Sequence, residues 1–200
     1  MLKVEKNNID EIVKIARGGG VIAFPTETVY GFGVVFNNHN SYDRLIEVKR
    51  RPPEKPFTLM LSDVKNIGLY AYIDKRVQKI IDGFLPGELT LILKAKPGLP
   101  PYVVSKDGMV GIRVPDDDFV REMIAKIGAP LLVPSANRSG EPPINNGEEV
   151  ASIFENEIDG VVLGESGSRV PSTIVIIDRD VKIIREGTLA NEIKEVIKHL

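Results

Sequence analysis

The chain has 200 residues, of which 42% are apolar, and a formal net charge of -2 at pH 7. A chain of this size can bury a substantial core, and we expect one domain over residues 1–200. The absence of cysteine excludes disulfides, thiolate nucleophiles and cysteine-based metal sites. No apolar run reaches the roughly 20 residues that cross a bilayer, and no secretory leader begins the sequence. We therefore expect a cytoplasmic protein without membrane contact.

The first quarter of the sequence predicts a helix, a buried strand and a second helix. Apolar residues at helical spacing favour a helix over residues 9–17, and a strand follows at 21–24. The second helix is predicted to begin at the cap Ser41. It is predicted to end before Pro52, because a residue that precedes proline disfavours helical geometry.

The remaining sequence interleaves strands and helices. Strands are predicted at residues 57–61, 88–95, 110–115, 131–134, 160–163, 172–178 and 181–185, and helices after Asp74, over 120–127, from Asn146 and at the C-terminal end. The link between the last two strands is too short for a parallel crossover, so the sheet must be mixed. The predicted fold class is α/β, with a twisted mixed sheet flanked by helices.

Polar loops adjoin several of these strands, and three arginines stand out among them. Arg51 ends the second helix, Arg113 lies within the strand VGIRVP, and Arg185 closes the strand VKIIR. In open α/β sheets ligands bind beyond the strand ends, so we expect these loops to converge on one basic concave cleft. Arginine presents a rigid fork of donors to phosphate or carboxylate, which favours an anionic ligand. The apolar residues that alternate with Arg113 predict that its side chain faces away from theirs.

Other chemistries have little support in the sequence. His39 and His199 are interpreted as solvated side chains rather than a general base or a metal-binding pair. Ser135 and Ser172 lack the glycine frame of a nucleophile elbow. Three aspartates at residues 116–118 precede a helix, where carboxylates cap the N-terminus, so we expect no protein-bound metal.

A basic cluster at residues 44–55 leaves a second function open. It holds five basic and two acidic side chains, which is a local charge of +3 in an acidic chain. A module that binds tRNA or double-stranded RNA is therefore one alternative, and its affinity would fall steeply with salt.

Seven motifs occur in an order and spacing that resemble the threonylcarbamoyl-AMP synthases. They are PTETVYG, KRRP, PGELTLIL, IRVP, PSANRSG, STIV and REG, and they extend over nearly the whole chain. The resemblance implies a nucleotidyltransferase that forms threonylcarbamoyl-AMP and pyrophosphate from L-threonine, bicarbonate or CO2, and ATP. Its product would serve the threonylcarbamoylation of an adenosine beside the tRNA anticodon. The length is similar to that of the short members of the family, which lack the C-terminal domain of its longer members.

The resemblance also implies partners and a cofactor. ATP is expected as a substrate, with Mg²⁺ carried on its phosphates. A downstream threonylcarbamoyltransferase complex is expected to receive the product, and a direct contact with tRNA is left open.

The resemblance further implies roles for residues that match its motifs. No nucleophilic side chain is required, and catalysis is expected to rest on positioning and electrostatics, chiefly by Lys49 and Arg51. The predicted threonine-binding residues are Thr28, Arg113 and Ser172. The predicted ATP-binding residues are Lys49, Arg51, Lys55, Ser135, Asn137 and Arg185. The glycines of PTETVYGFG are expected to let the chain turn beside the threonine where a Cβ would obstruct it.

Four positions depart from the family pattern, and one of them is Pro171, which stands where the family has a glutamate before Ser-Thr. Lys55 replaces a frequent asparagine, Met60 replaces a frequent histidine, and Pro143 replaces a frequent serine. Met60 and Pro143 keep a further alternative open, a paralogue that makes a different carbamoyl or acyl adenylate.

Overall fold

A computed structural model of the protein describes residues 1–52 and 56–200. Within these residues the strands are β1 (Leu2–Val4), β2 (Ile22–Phe24), β3 (Gly31–Val35), β4 (Leu59–Met60), β5 (Leu89–Lys94), β6 (Met109–Arg113), β7 (Leu131–Leu132), β8 (Gly160–Val162), β9 (Thr173–Ile177) and β10 (Val181–Arg185). The α-helices are α1 (Ile9–Arg17), α2 (His39–Lys49), α3 (Ile67–Tyr70), α4 (Lys75–Phe84), α5 (Asp118–Ile127), α6 (Gly147–Ile153) and α7 (Ala190–Ile197). Short 3-10 helices lie at Lys6–Asn8, Val64–Asn66 and Pro101–Val103.

The strands form one mixed sheet in the order β1-β8-β2-β3-β7-β4-β6-β5-β9-β10. Four neighbouring pairs are parallel, namely β1 with β8, β8 with β2, β4 with β6, and β5 with β9. The other pairs are antiparallel, including β9 with β10, which a short turn connects. The predicted α/β class with a mixed sheet flanked by helices is confirmed.

The two faces of the sheet are covered differently. On one face, buried side chains of α2, α3, α4, α6 and α7 join a continuous apolar core with the inward side chains of the strands. On the other face, α1 and α5 form a smaller core over β1, β2, β4, β7 and β8. These two helices leave the part of that face formed by β5, β6, β9 and β10 uncovered, and a cavity lies there.

The helix ends follow local capping rules. Asp74 caps α4 by accepting hydrogen bonds from the amides of Arg76 and Val77, both at 2.9 Å. The predicted start of the second helix at a Ser41 cap was wrong. Asn38 is the cap instead, since its Oδ1 accepts from Ser41 N at 3.1 Å, while the Ser41 hydroxyl donates to Gly19 O. Over the described residues, no helix combines the length and apolar character that a membrane crossing requires.

The glycines after PTETVY lie inside β3, so the predicted turn at these residues was wrong. A Cβ on Gly31 would lie 2.6 Å from Val133 Cγ1, and one on Gly33 would lie 2.7 Å from Phe24 Cε1. These glycines therefore permit side chains of neighbouring strands to cross close to β3. The sequence prediction missed β3 because glycine lowers strand propensity, and it also missed the three-residue edge strand β1.

Candidate functional site

The cavity has a volume of about 500 Å³ and lies on the uncovered face of the sheet. Its floor consists of side chains that alternate with core residues along the strands, including Thr90 and Ile92 of β5, Arg113 of β6 and Ile174 of β9. Loops next to β2, β4, β7 and β9 form its walls. The predicted convergence of polar loops is therefore found, but the ligand space lies over the sheet rather than beyond its strand ends.

Arg51, Arg113 and Arg185 line this one cavity, although the first and the last are 134 positions apart in the sequence (185 − 51). The guanidinium of Arg51 lies over the Phe57 ring, 5.0 Å from its centroid. Burial lowers the pKa of Arg185, and the positive charge of Arg113 lowers it further. Among the described residues that line the cavity, none is acidic. The three arginines therefore concentrate positive charge at the cavity, which favours an anionic ligand.

Arg113 faces away from Val110, Ile112 and Val114, as its strand pattern predicted. Those three residues are fully buried in the main core, while Arg113 is 7% exposed and lines the cavity. Its Nη2 donates to Thr28 Oγ1 at 2.8 Å and lies 2.9 Å from Glu27 Oε1. The loop after β2 therefore holds Arg113 from behind.

The Thr28 hydroxyl is occupied within a short chain of hydrogen bonds. Thr26 Oγ1 donates to Val29 O at 2.8 Å, so at the 2.9 Å contact between the two threonine hydroxyls Thr28 is the donor. Thr28 then accepts from Arg113 and is completely buried. The structure places Thr28 beneath Arg113, where it orients the guanidinium.

Ser172 and Arg185 meet at the opposite wall of the cavity. Arg185 donates through Nε and Nη2 to Ser172 O at 2.9 and 2.7 Å, and through Nη2 to Ser172 Oγ at 3.1 Å. The Ser172 hydroxyl also contacts Thr90 Oγ1 at 2.8 Å. The predicted residues Ser172 and Arg185 are thus one hydrogen-bonded unit that lines the cavity.

A β-bulge aims Arg185 at the cavity. In β10, Ile183 is paired with Val175, but Arg185 is paired with Ile174, the next residue of β9, so the register shifts between these two pairs. Consecutive side chains of a regular strand point to opposite faces. Here both Ile184 and Arg185 line the cavity, because the bulge interrupts that alternation.

Lys49 and Asn137 lie behind the cavity wall rather than in it. The ammonium of Lys49, which is 2% exposed, donates to Ser135 O and Asn137 O at 2.7 Å and to Asn137 Oδ1. Ser135 Oγ, which lines the cavity, donates to the same Asn137 Oδ1 at 2.8 Å. The structure therefore shows that Lys49 holds the loop that carries Ser135, and its predicted contact with ATP stays a prediction.

The remaining predicted positions are placed as follows. Lys55 lies outside the described residues. Met60 is 1% exposed and packs in the smaller core, so its side chain does not line the cavity. Asp117 caps α5 by accepting from Val120 N at 3.1 Å. No cluster of three or more metal-ligating side chains occurs among the residues that the structure describes.

Glu27, Phe57 and Thr90 are site residues that the sequence prediction missed. Glu27 was visible as the one carboxylate in a hydroxyl-rich loop directly after a buried strand. Thr90 was visible as a polar side chain between the core residues Leu89 and Leu91 of β5. Phe57 carried no signal that separates an aromatic cavity wall from an ordinary core residue.

Comparisons with known proteins agree with this arrangement. The family model for Sua5, YciO and YrdC, described as "Telomere recombination", matches residues 14–187. A Methanocaldococcus jannaschii protein named "Putative threonylcarbamoyl-AMP synthase" is 36% identical over 186 residues, which cover 92% of this chain and 87% of that protein. The threonylcarbamoyl-AMP synthase of Bacillus subtilis is 33% identical over 200 residues. That alignment covers 98% of this chain but 58% of the Bacillus protein.

Solved structures show the same fold. P. abyssi Sua5 in complex with L-threonine matches with a TM-score of 0.91 and 29% identity, over 98% of this chain and 60% of that one. E. coli YciO matches with a TM-score of 0.82 and 26% identity, over 94% of each chain. Because the family model, the sequence relatives and the solved structures all match over most of its length, the chain belongs to the Sua5/YciO/YrdC family.

Proposed function

We propose that the protein is an L-threonylcarbamoyladenylate synthase. It forms threonylcarbamoyl-AMP and pyrophosphate from L-threonine, bicarbonate or CO2, and ATP, as a step in the threonylcarbamoylation of tRNA. The names of the relatives and the threonine bound to P. abyssi Sua5 support this proposal. The observation that carries it is the convergence of Arg51, Arg113 and Arg185 on one cavity.

The cavity fits a reaction between two anions. The threonine amine adds to the carbon of CO2 and loses a proton to give a carbamate. A carbamate oxygen then attacks the α-phosphorus of ATP, and pyrophosphate leaves. Both reactants are negatively charged, so the main contribution of the protein is to offset their repulsion and align them. No step requires a nucleophilic side chain.

The residues divide into those that face the ligands and those that support them. We assign the threonine to Arg113 and Ser172, and the nucleotide to Arg51, Ser135 and Arg185. Arg185 of the nucleotide subsite donates to Ser172 of the threonine subsite at 3.1 Å, and both line the cavity with Arg113, so the two subsites adjoin. An anion bound between Arg113 and Arg185 relieves the repulsion of the two guanidinium groups.

Thr28, Lys49 and Asn137 then act on the ligands indirectly, through Arg113 and the loop of Ser135. The predicted contact of Lys55 with ATP stays a prediction. The same holds for Mg²⁺ on the phosphates, for a single domain over residues 1–200 and for a cytoplasmic location. The downstream threonylcarbamoyltransferase complex and a direct tRNA contact also stay predictions.

A purified sample with ATP, L-threonine and bicarbonate provides the test. We expect pyrophosphate release that depends on all three substrates. Release without threonine, or equally with other amino acids, would favour a paralogue that makes a different adenylate. Salt-sensitive RNA binding without pyrophosphate release would favour the RNA-binding alternative.

Arg51→Ala and Arg113→Ala are expected to lower kcat/KM by roughly 100-fold, since each removes a charged donor that we assign to an anionic ligand. Arg113→Ala should act mainly through the KM for threonine. Lys182→Ala is the matched control, because Lys182 lies in β10 with 68% of its side chain exposed and pairs with Asp180. Unchanged kinetics in both arginine variants would contradict the assignment.

A further inference from the structure

Glu27 forms a buried ion pair directly behind the cavity. Its side chain is 14% exposed, and Oε1 lies 2.9 Å from Arg113 Nη2 and accepts from Asp116 N at 3.0 Å. The carboxylate itself does not line the cavity. An effect of Glu27 on a ligand by contact therefore passes through Arg113.

This ion pair is incompletely satisfied. Glu27 Oε2 and Arg113 Nε are both buried, and neither has a hydrogen-bond partner among the described residues. A buried pair with unsatisfied atoms is poorly explained by stability, because desolvation offsets much of its Coulomb attraction. A role in holding one side chain in a fixed orientation explains it better.

The contacts of Arg113 define that orientation. Nη2 donates to Thr28 Oγ1, and the same nitrogen lies 2.9 Å from Glu27 Oε1 in the ion pair. Nε is buried. Because the guanidinium is planar, these constraints leave Nη1 as the nitrogen that can donate to an anion in the cavity.

The loop that carries Glu27 is itself held from behind by residues 167–169. Their amides donate to the carbonyls of residues 26–28, at 2.9 Å from Gly167 to Thr26, 2.7 Å from Ser168 to Glu27 and 2.8 Å from Arg169 to Thr28. A Cβ on Gly167 would lie 2.1 Å from Glu27 O, so the two backbones are in direct contact. The carboxylate therefore has a rigid base from which to hold Arg113.

We propose that Glu27 is a positioning residue, which locks Arg113 so that Nη1 meets the carboxylate of the amino-acid substrate. This inference rests on the proposed function. Glu27 then has two opposite effects on ligand binding. As a negative charge it weakens the attraction of the cavity for anions, and as a clamp it strengthens the binding of one oriented carboxylate.

Glu27→Gln distinguishes these effects, because it removes the charge and keeps the shape. We expect the dissociation constant for L-threonine, measured by calorimetry, to rise about tenfold, the scale of one misplaced charge-assisted hydrogen bond. The KM for ATP should stay within about twofold, and kcat should change less than the KM for threonine. Glu27→Asp, which keeps the charge on a shorter side chain, should recover part of the loss.

Asp118→Asn is the matched control for charge. Asp118 lies close in sequence to Asp116, its side chain is 96% exposed, and its ion pair is with Arg121. Threonine binding by this variant should equal that of the unsubstituted protein. If Glu27→Gln binds threonine as tightly as the unsubstituted protein or more tightly, the clamp is overturned and the charge effect alone remains.

A double-mutant cycle with Arg113→Ala tests the route of the effect. If Glu27 acts through Arg113, Glu27→Gln should not weaken threonine binding further in the Arg113→Ala background. In urea unfolding, the double variant should be more stable than Arg113→Ala alone, which leaves a buried carboxylate without its cation. Additive losses of threonine affinity would overturn the inference.

The failure of this inference differs from the failure of the proposed function. An unsubstituted protein without threonine-dependent pyrophosphate release and without threonine binding overturns the proposed function, and with it the substrate named here. Normal turnover together with unchanged threonine affinity in Glu27→Gln overturns the positioning role alone.

Discussion

Lys49 is a buried cation that supports the cavity without facing it. Its ammonium connects the end of α2 to the loop of Ser135 through two carbonyls and the Asn137 side chain. Burial lowers the pKa of Lys49 to about 8, and the charges of Arg51 and Arg138 contribute. Lys49 therefore holds its proton at pH 7 and loses it within a range that an assay can reach.

We predict that kcat/KM for ATP falls as the pH rises through about 8, because the neutral amine loses one of the donors that hold the loop. The measurement is a pH–rate profile from neutral to alkaline pH. Lys49→Met should be less active at pH 7 and should lack this alkaline limb. If kcat/KM of Lys49→Met fell at the same alkaline pH, the fall would have to be assigned to another titrating group.

Stability should change in the opposite direction over this pH range. The folded protein releases the Lys49 proton near pH 8, whereas the unfolded chain holds it up to the ordinary lysine pKa of 10.5. Between these values the unfolded state binds more protons, so this group makes the free energy of unfolding rise with pH. A loss of activity above pH 8 that coincided with unfolding would therefore contradict the loop mechanism.

The hairpin of β9 and β10 is the element that brings two site residues together. Ser172 directly precedes β9, Arg185 ends β10, and the bulge turns Arg185 toward the cavity. Gly187 lies where the chain leaves the hairpin. A Cβ there would be 2.5 Å from Pro171 O and 2.6 Å from Thr173 N. The backbone on both sides of Ser172 thus packs directly on Gly187.

We predict that Gly187→Ala destabilises the protein by roughly 1–3 kcal/mol, because backbone atoms must move to admit the methyl group. The same movement should displace Ser172 and Arg185 and lower kcat/KM. Urea unfolding and pyrophosphate release measure the two effects. Full activity with unchanged stability in Gly187→Ala would contradict this prediction, because it would mean that the hairpin admits the methyl group without moving Ser172 or Arg185.

Gly83→Ala is the contrasting substitution in α4. A Cβ at Gly83 meets nothing within 4 Å, and the residue lies within the helix at Lys75–Phe84. Alanine is the better helix former, so we predict that the free energy of unfolding rises by about 0.5–1 kcal/mol with unchanged activity. A lower free energy of unfolding in urea would contradict this prediction and show that the space at Gly83 is needed.

At the scale of the whole molecule, the cavity exists because the two faces of the sheet carry unequal numbers of helices. α1 and α5 cover the half of one face over β1, β2, β4, β7 and β8, and the part formed by β5, β6, β9 and β10 is open. Side chains on the open half can be polar, as Thr90 and Arg113 are, because no helix packs on them. The position of the site is thus a consequence of layer packing.

We predict that L-threonine and ATP each raise the Tm, since a ligand that binds only the folded state stabilises it by mass action. At 100 times the dissociation constant the gain is about 2.7 kcal/mol. In Arg113→Ala the shift with threonine at the same concentration should become much smaller while the shift with ATP remains. Thermal unfolding with each ligand alone measures this, and equal loss of both shifts would contradict separate subsites.

Local patterns in the sequence determined much of the architecture. The helical periodicities, the Asp74 and Asn146 caps and the short link between the last two strands predicted α1, α4, α5, α6 and a mixed sheet correctly. Alternation in VGIRVP also predicted the direction of Arg113 correctly. These features depend on residues a few positions apart, so a single sequence contains them.

Tertiary structure alone decided which residues meet. Glu27 pairs with a residue 86 positions later (113 − 27), Lys49 is buried by a loop that follows β7, and the glycines of β3 are required by side chains of β2 and the β7 loop. Each of these outcomes depends on how α1 and α5 and the strands pack, and not on the intrinsic preference of a segment. Local propensity depends on residues within a few positions of one another, whereas the cavity is formed by contacts between segments that lie far apart in the sequence.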